Sequence, residues 1–260
     1  MKLFRLIVTG LSGLLLSAAF LHAQPADRGR VSLSVSGAFV FSGLGYDYRY
    51  TLPYYYQTLT IADTLGGGRK GRPGLNASVG YFFSKKLEAF IGLSAGKAGS
   101  QEGQVSVSVP SQVYLHEIAT GTDLRGRKSS AVDLFMGARF HPAPASKVDP
   151  YLGFGGCLSA ASLQLLAAAF YTDTYTQGMF HDVEITRVDF ETMKAHALGG
   201  FVTGGLAIGL GPRLAVCIEG IYRFARKSVL HPFSSAIGSP QDVRVDLSGF
   251  AASLGLRVRL

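Results

Sequence analysis

Charge is scarce in this chain of 260 residues: Asp, Glu, Lys and Arg make up 16 % of it, while 47 % is hydrophobic. That balance excludes intrinsic disorder, which needs low hydrophobicity and high charge. Tryptophan is absent. After Phe20 there is no run of about 20 apolar residues, the length a spanning helix requires. The nearest stretch, Leu198 to Leu210, is too short and too rich in glycine. Phosphate-loop order is missing as well. Gly66 to Gly74 lacks the G-x-x-x-x-G-K-[ST] pattern, and Gly153 and Gly155 follow no βαβ unit, so nucleotide-loop readings fail.

What is present begins with a processing segment. Lys2 and Arg5 precede the apolar run Leu6 to Phe20, and Leu21-His22-Ala23 before Gln24 forms a small-residue cleavage site. Residues 1–23 read as a signal peptide and 24–260 as one exported domain. No cysteine directly follows the cut, so no lipid anchor is expected. The 33 glycines, 12 tyrosines and 17 phenylalanines suit short strands with an apolar outer surface.

The closing stretch, Gly249 to Leu260, shows the governing pattern. Phe250, Ala252, Leu254, Leu256, Val258 and Leu260 fall on one face of an extended strand. Gly249, Ala251, Ser253, Gly255, Arg257 and Arg259 fall on the other, because side chains alternate faces in a strand. The same alternation recurs in Arg30–Ser42, Gly74–Ser84, Leu87–Gly96, Ser130–Phe140, Pro150–Leu158, Lys194–Leu210 and Leu214–Phe224. The connections between these segments run long, short, long, short, long, short, long. Short turns on one side and long loops on the other are the rhythm of a transmembrane barrel, and a closed barrel satisfies every backbone group in lipid. The expected fold is all-β, an eight-stranded antiparallel transmembrane β-barrel with long extracellular loops. Val105, Val107 and Val109 with Val113 and Leu115 form a possible fifth hairpin, read here as an extension of the barrel above the membrane. Ala161 to Phe170 could form a short helix within the third long loop.

These features resemble the small outer-membrane β-barrels, the superfamily of the OmpA barrel domain, OmpX and OmpW. The resemblance rests on the signal peptide, Asp149-Pro150-Tyr151-Leu152-Gly153-Phe154-Gly155-Gly156 opening a strand, the Gly-rich sixth strand, and the closing strand Phe250 to Leu260. It implies location in the cell outer membrane and insertion by the barrel-insertion machinery through Phe250–Leu260. The family usually ends on Phe or Tyr, whereas this chain ends on Leu260. No peptidoglycan-binding domain follows the barrel, so tethering to the cell wall is not expected.

The inward-facing charges are Glu88, Asp133, Arg139, Glu219, Arg223, Arg257 and Arg259. Charges in a narrow lumen are costly to desolvate unless paired, so they are expected to form a network that plugs the barrel. Arg257 and Arg259 are assigned Glu88, Asp133 and Glu219 as partners. The sharper alternative is a gate, in which re-pairing of Glu88 or Glu219 opens a small pore. Cys157 and Cys217 also point inward, from strands that are not neighbours. A disulfide requires Cα atoms within about 7 Å, so two buried thiols are expected.

The net charge is +8. Arg69, Lys70, Arg72, Arg125, Arg127, Lys128, Arg226 and Lys227 lie in long loops or at strand tops, where the phosphates of lipopolysaccharide would pair with them. Nucleic acid is not an expected partner. Tyr54, Tyr55 and Tyr56 make the first loop a candidate contact surface. His116, His141, His181 and His231 sit in predicted loops or turns, and His196 falls in a strand with no serine two residues on. Acyl transfer needs a nucleophile within hydrogen-bond reach of a base, and the lipid A deacylase pattern is not matched, so no enzyme, metal or cofactor is expected. The favoured function is structural or surface interaction. A narrow channel ranks second and a lipid-modifying enzyme third.

Overall fold

Eight strands with one apolar and one small or polar face satisfy all their backbone groups by closing on themselves. The computed structural model describes residues 30–42, 44–54, 57–66, 72–96, 99–110, 118–144, 146–176, 180–237 and 240–260, with strands numbered in chain order. The ring consists of β1 (Val31–Ser42), β4 (Arg72–Phe82), β5 (Leu87–Gly96), β7 (Ile118–Phe140), β8 (Val148–Thr176), β9 (Phe180–Gly209), β10 (Leu214–Leu230) and β12 (Gly249–Arg259). They pair antiparallel in the order β1-β4-β5-β7-β8-β9-β10-β12, and β12 returns to β1 with Ser32 opposite Arg259 and Ser42 opposite Gly249. Residues 1–29, the expected signal peptide included, and Tyr55, Tyr56, Arg69, Lys70, Val113, Leu115 and His116 lie outside the described residues.

The apolar face points outward all round. Val35, Leu75, Met136, Leu152, Phe154, Leu206, Ile218, Leu254 and Leu256 are exposed. A soluble protein rarely carries a contiguous apolar surface of that extent. From Phe250 to Leu260 the strand climbs ten residues. At roughly 3.3 Å each and a tilt near 40° that is a height of about 25 Å, the apolar band of an outer-membrane barrel.

Both ends of the described chain and the short turns share one end of the ring. The Leu260 amide donates to the Val31 carbonyl at 2.9 Å, and Arg259 to that of Arg213 at 2.8 Å. His141 donates likewise to Lys86 at 2.8 Å. At the other end the strands do not stop. β8 and β9 continue side by side to Thr176 opposite Phe180. β6 (Gly99–Pro110) pairs with the upper part of β7, β3 (Gln57–Leu65) with β6, and β2 (Tyr46–Tyr54) with β3. β11 (Asp242–Asp246) adds to the top of β10. The valine-rich segment therefore extends the sheet above the ring and does not add a fifth spanning hairpin.

Tyr46, Ile61, Val107, Leu163, Leu165 and Val245 pack into one core inside this extension. Ala161–Phe170 corrects the sequence expectation, because it is strand and not helix. Ala161 pairs with Ala195 and Leu163 with Met193 across β8 and β9. Burial of Leu163, Leu165 and Leu166 in that core overrides the helical composition of the segment. α1 (Pro232–Ala236) carries Phe233 into the same core.

Candidate functional site

The interior is stacked in layers along the barrel axis. Nearest the turns lies a layer of charge. Glu88 on β5 stands opposite Arg139 on β7 in the strand register. The Arg139 guanidinium donates to Glu219 Oε1 at 2.8 Å and lies 3.5 Å from Glu88 Oε2. Ser32 also donates to Glu88. His141 bridges two carboxylates, with Nε2 3.3 Å from Glu88 Oε2 and Nδ1 2.9 Å from Asp149 Oδ2. Arg259 reaches the same Asp149 oxygen at 2.9 Å. The Arg257 guanidinium is buried 4.7 Å over the ring of Tyr151.

All seven lumen charges predicted from the sequence point inward, but both closing arginines depart from the expected pairing, and Arg257 lies over the Tyr151 ring and, among the described residues, joins no ion pair. Arg259 takes Asp149 as its partner, and not Glu88, Asp133 or Glu219. Its place at the end of β12 puts it level with the turn that Asp149 closes. His141 was missed as a site residue because turn residues carry no period to read, and Asp149 because it opens β8 where the sequence reads as the end of that turn. A solvent-facing histidine was the expectation, yet His141 is fully buried.

Above the charges is an aromatic belt. Phe201 meets Phe90 at 5.6 Å and Phe135 at 5.1 Å between ring centroids, both edge to face. Gly137 makes room for it: a Cβ there would lie 2.9 Å from the Phe201 ring and 2.2 Å from the Phe154 carbonyl oxygen. Between belt and charges a cavity of about 20 Å³ is lined by Ser34, Asn76, Ser78, Phe90, Arg139 and Glu219. That volume holds about one water. Cys157 and Cys217 are buried free thiols on β8 and β10, with β9 between them.

Higher still, Arg223 pairs with Asp133 and donates through Nε to the Leu247 carbonyl at 2.9 Å. The extension holds a second buried polar knot that sequence reasoning did not find. Asp63, 0 % exposed, accepts from Tyr46 at 2.8 Å, from the Leu166 amide at 3.0 Å and from Arg127 at 2.5 Å. Arg127 also donates to the Tyr46 hydroxyl. His231 lies 3.4 Å from Asp63 and stacks on Tyr48 at 3.7 Å. Burial opposes the Asp63 charge, but the His231 hydrogen bond and the Arg127 guanidinium outweigh it and hold the carboxyl below its usual range. Burial, then the Asp63 charge, push the Tyr46 hydroxyl far up, so it stays a donor.

Arg127 is a correction. Expected at the surface for phosphate contact, it is 1 % exposed. The Arg125-Gly126-Arg127-Lys128 run is not a loop but part of β7, and odd positions of β7 face inward. His231, expected in a loop, is buried as well. Arg72 lies in β4 and donates to the Ser129 carbonyl at 3.1 Å and hydroxyl at 3.0 Å. Lys128, Arg226 and Lys227 are exposed. Tyr54 and Arg125 fall on β2 and β7. The histidine–carboxylate pairs, Asp63–His231 and Asp149–His141, are both closed to solvent.

The closed ring with an apolar exterior and a filled polar interior is the fold of the small outer-membrane β-barrels. The outer membrane protein OprG of Pseudomonas aeruginosa matches with a TM-score of 0.51 and 15 % identity, over 90 % of this chain and 96 % of that one. The outer membrane protease OmpT of Escherichia coli also scores 0.51, with 10 % identity over 91 % of this chain and 99 % of that one. No family model matches the chain, and no curated protein sequence does. The chain is thus an eight-stranded antiparallel transmembrane β-barrel with long extracellular strand extensions.

Proposed function

We propose that this protein is an integral protein of the outer membrane, exported through residues 1–23, that does not conduct and serves as a rigid mount for a surface-interaction domain. Binding or adhesion through the extension, or support of envelope integrity, is its role. The single observation that carries this reading is the filled lumen. The buried Glu88–Arg139–Glu219 charges and the Phe90–Phe135–Phe201 belt leave about 20 Å³ between them. The packed core of the extension supports the rest, because a gating loop would not carry a continuous apolar core. The filled lumen weighs against the narrow-channel alternative. The burial of both histidine–carboxylate pairs weighs against a hydrolytic one. Insertion proceeds through the closing strand Phe250–Leu260, and the exposed cations of the extension face lipopolysaccharide.

Purified protein in planar bilayers should show no conductance steps above the lipid baseline. On intact cells, cysteines placed at Leu124 and Lys128 should label with a membrane-impermeant maleimide. Discrete single-channel steps would overturn the non-conducting mount, and recovery of the chain in the soluble periplasmic fraction would overturn the membrane assignment.

A further inference from the structure

The outward face of β10 changes chemistry abruptly. Tyr222 and Phe224 are exposed and apolar, and two residues on, with the same outward orientation, comes Arg226, then Ser228. The neighbouring β12–β11 path changes at the same level. Phe250 is exposed next to Tyr222 in the register, and Arg244 stands opposite Ser228. At roughly 3.3 Å per residue and 40° of tilt, Arg226 lies about 5 Å above Phe224 and Arg244 about 10 Å above it. The polar layer outside the hydrocarbon is itself about 5 to 8 Å deep. Arg226 is thus held at headgroup height and Arg244 just above that layer, both on the outward face of the sheet.

Arg226, Lys227, Ser228 and Arg244 line one open groove of about 360 Å³. Asp246, opposite Arg226 in the register, turns its carboxylate to the Ser248 amide at 2.9 Å. Among the described residues no ion pair engages Arg226, Lys227 or Arg244. Three buried arginines, by contrast, meet carboxylates: Arg127 with Asp63, Arg139 with Glu219 and Arg223 with Asp133. Arg226 and Arg244, flanking Ser228 on one face directly above an aromatic edge, fit a phosphate ester whose acyl chains lie along Phe224 and Phe250, while Lys227, opposite Val245, lies on the other face at the edge of the groove. Arginine is suited to such an oxyanion because its planar fork binds two oxygens at once.

We propose that the β10–β11 groove binds the phosphate of an outer-leaflet glycolipid of the lipid A type through Arg226 and Arg244. This rests on the outer-membrane reading above. The site is lateral and distinct from the tip of the extension, so the lipid orients the mount without occupying its upper surface.

The experiment titrates the full folded chain in detergent micelles with diphosphorylated lipid A, dephosphorylated lipid A and inorganic phosphate. The test variant is Arg226→Gln/Arg244→Gln, and the control is Arg187→Gln, an exposed cation elsewhere on the extension. Diphosphorylated lipid A should bind the parent chain at least tenfold more tightly than the double variant, and the control should match the parent. Heat-modifiable migration of the double variant reports that it is folded. Equal affinity of parent and folded double variant overturns the proposal. So does equal binding of dephosphorylated lipid A, or displacement by inorganic phosphate at the concentration of the lipid. If the double variant does not fold, Arg226→Gln alone should still weaken binding severalfold, and unchanged binding there overturns the site. Failure of the membrane reading is distinguishable, since it would appear as soluble fractionation of the parent chain.

Discussion

The guanidinium carbon of Arg139 lies 3.7 Å from the centre of the Phe90 ring, and so joins the charged layer of the lumen to its aromatic belt. Its nitrogens meanwhile serve Glu219 and Glu88. Replacing Arg139 with Met should destabilise the barrel by about 3 to 5 kcal/mol, because two carboxylates remain buried without their cation. Urea titration of heat-modifiable migration in micelles measures it. A loss below 1 kcal/mol would show that the charges are solvated and the lumen open.

The knot in the extension is separable from the barrel. Arg127→Met should cost the extension about 3 to 5 kcal/mol by stranding Asp63, and Arg127→Met/Asp63→Leu should regain much of that. Limited trypsin digestion should cut the single variant within residues 99–130 while the membrane-embedded part survives. Equal resistance of parent and single variant would contradict the buried pair.

Acid should loosen the same region. Asp63 has its folded carboxyl lowered from 3.8, so its contribution to stability is present above that value. The contribution is lost as pH falls below 3.8 through the folded value, since the unfolded chain then binds the extra proton. Tyrosine near-ultraviolet dichroism, dominated by Tyr46, Tyr48 and Tyr50, should be constant from pH 7 to 5 and decline below pH 4. Asp63→Asn should remove that acid step.

Two arginine substitutions locate the membrane boundary. Leu254 is 61 % exposed near mid-height of the apolar band, and Leu254→Arg should cost about 2 to 4 kcal/mol. Leu124 is 74 % exposed but lies on the extension, and Leu124→Arg should change stability by less than about 0.5 kcal/mol. Equal effects in lipid vesicles would mean that the exposed apolar face is not in contact with lipid.

The period-two signal made the ring and its inward charges legible. Glu219, Arg223 and Arg257 face the lumen because parity along β10 and β12 is unbroken. Legibility failed where parity was cut short. The same odd-position rule that placed Asp133 inside also places Arg127 inside, but the cation-rich Arg125–Lys128 stretch reads as solvated loop. Its buried partner Asp63 comes from a distant hairpin that local pattern cannot supply. Ala161–Phe170 failed for another reason: short apolar runs fit helix and strand equally, and only the pairing with β9 decides. His141 lies in a turn, where no periodicity exists to show that it faces inward, and Asp149 is the second residue of β8, next to that turn.

β8 and β9 run paired from the turn end to the top of the extension, with register shifts only at Leu166/Ala168 and Phe170/Tyr171. The part of β9 from Phe180 to Leu198 rises roughly 45 Å beyond the ring at 3.3 Å per residue and 40° of tilt. A strand pair of that reach works as a mast: the separation between its upper end and the ring is set by covalent backbone length, so the two ends of the molecule meet different surroundings.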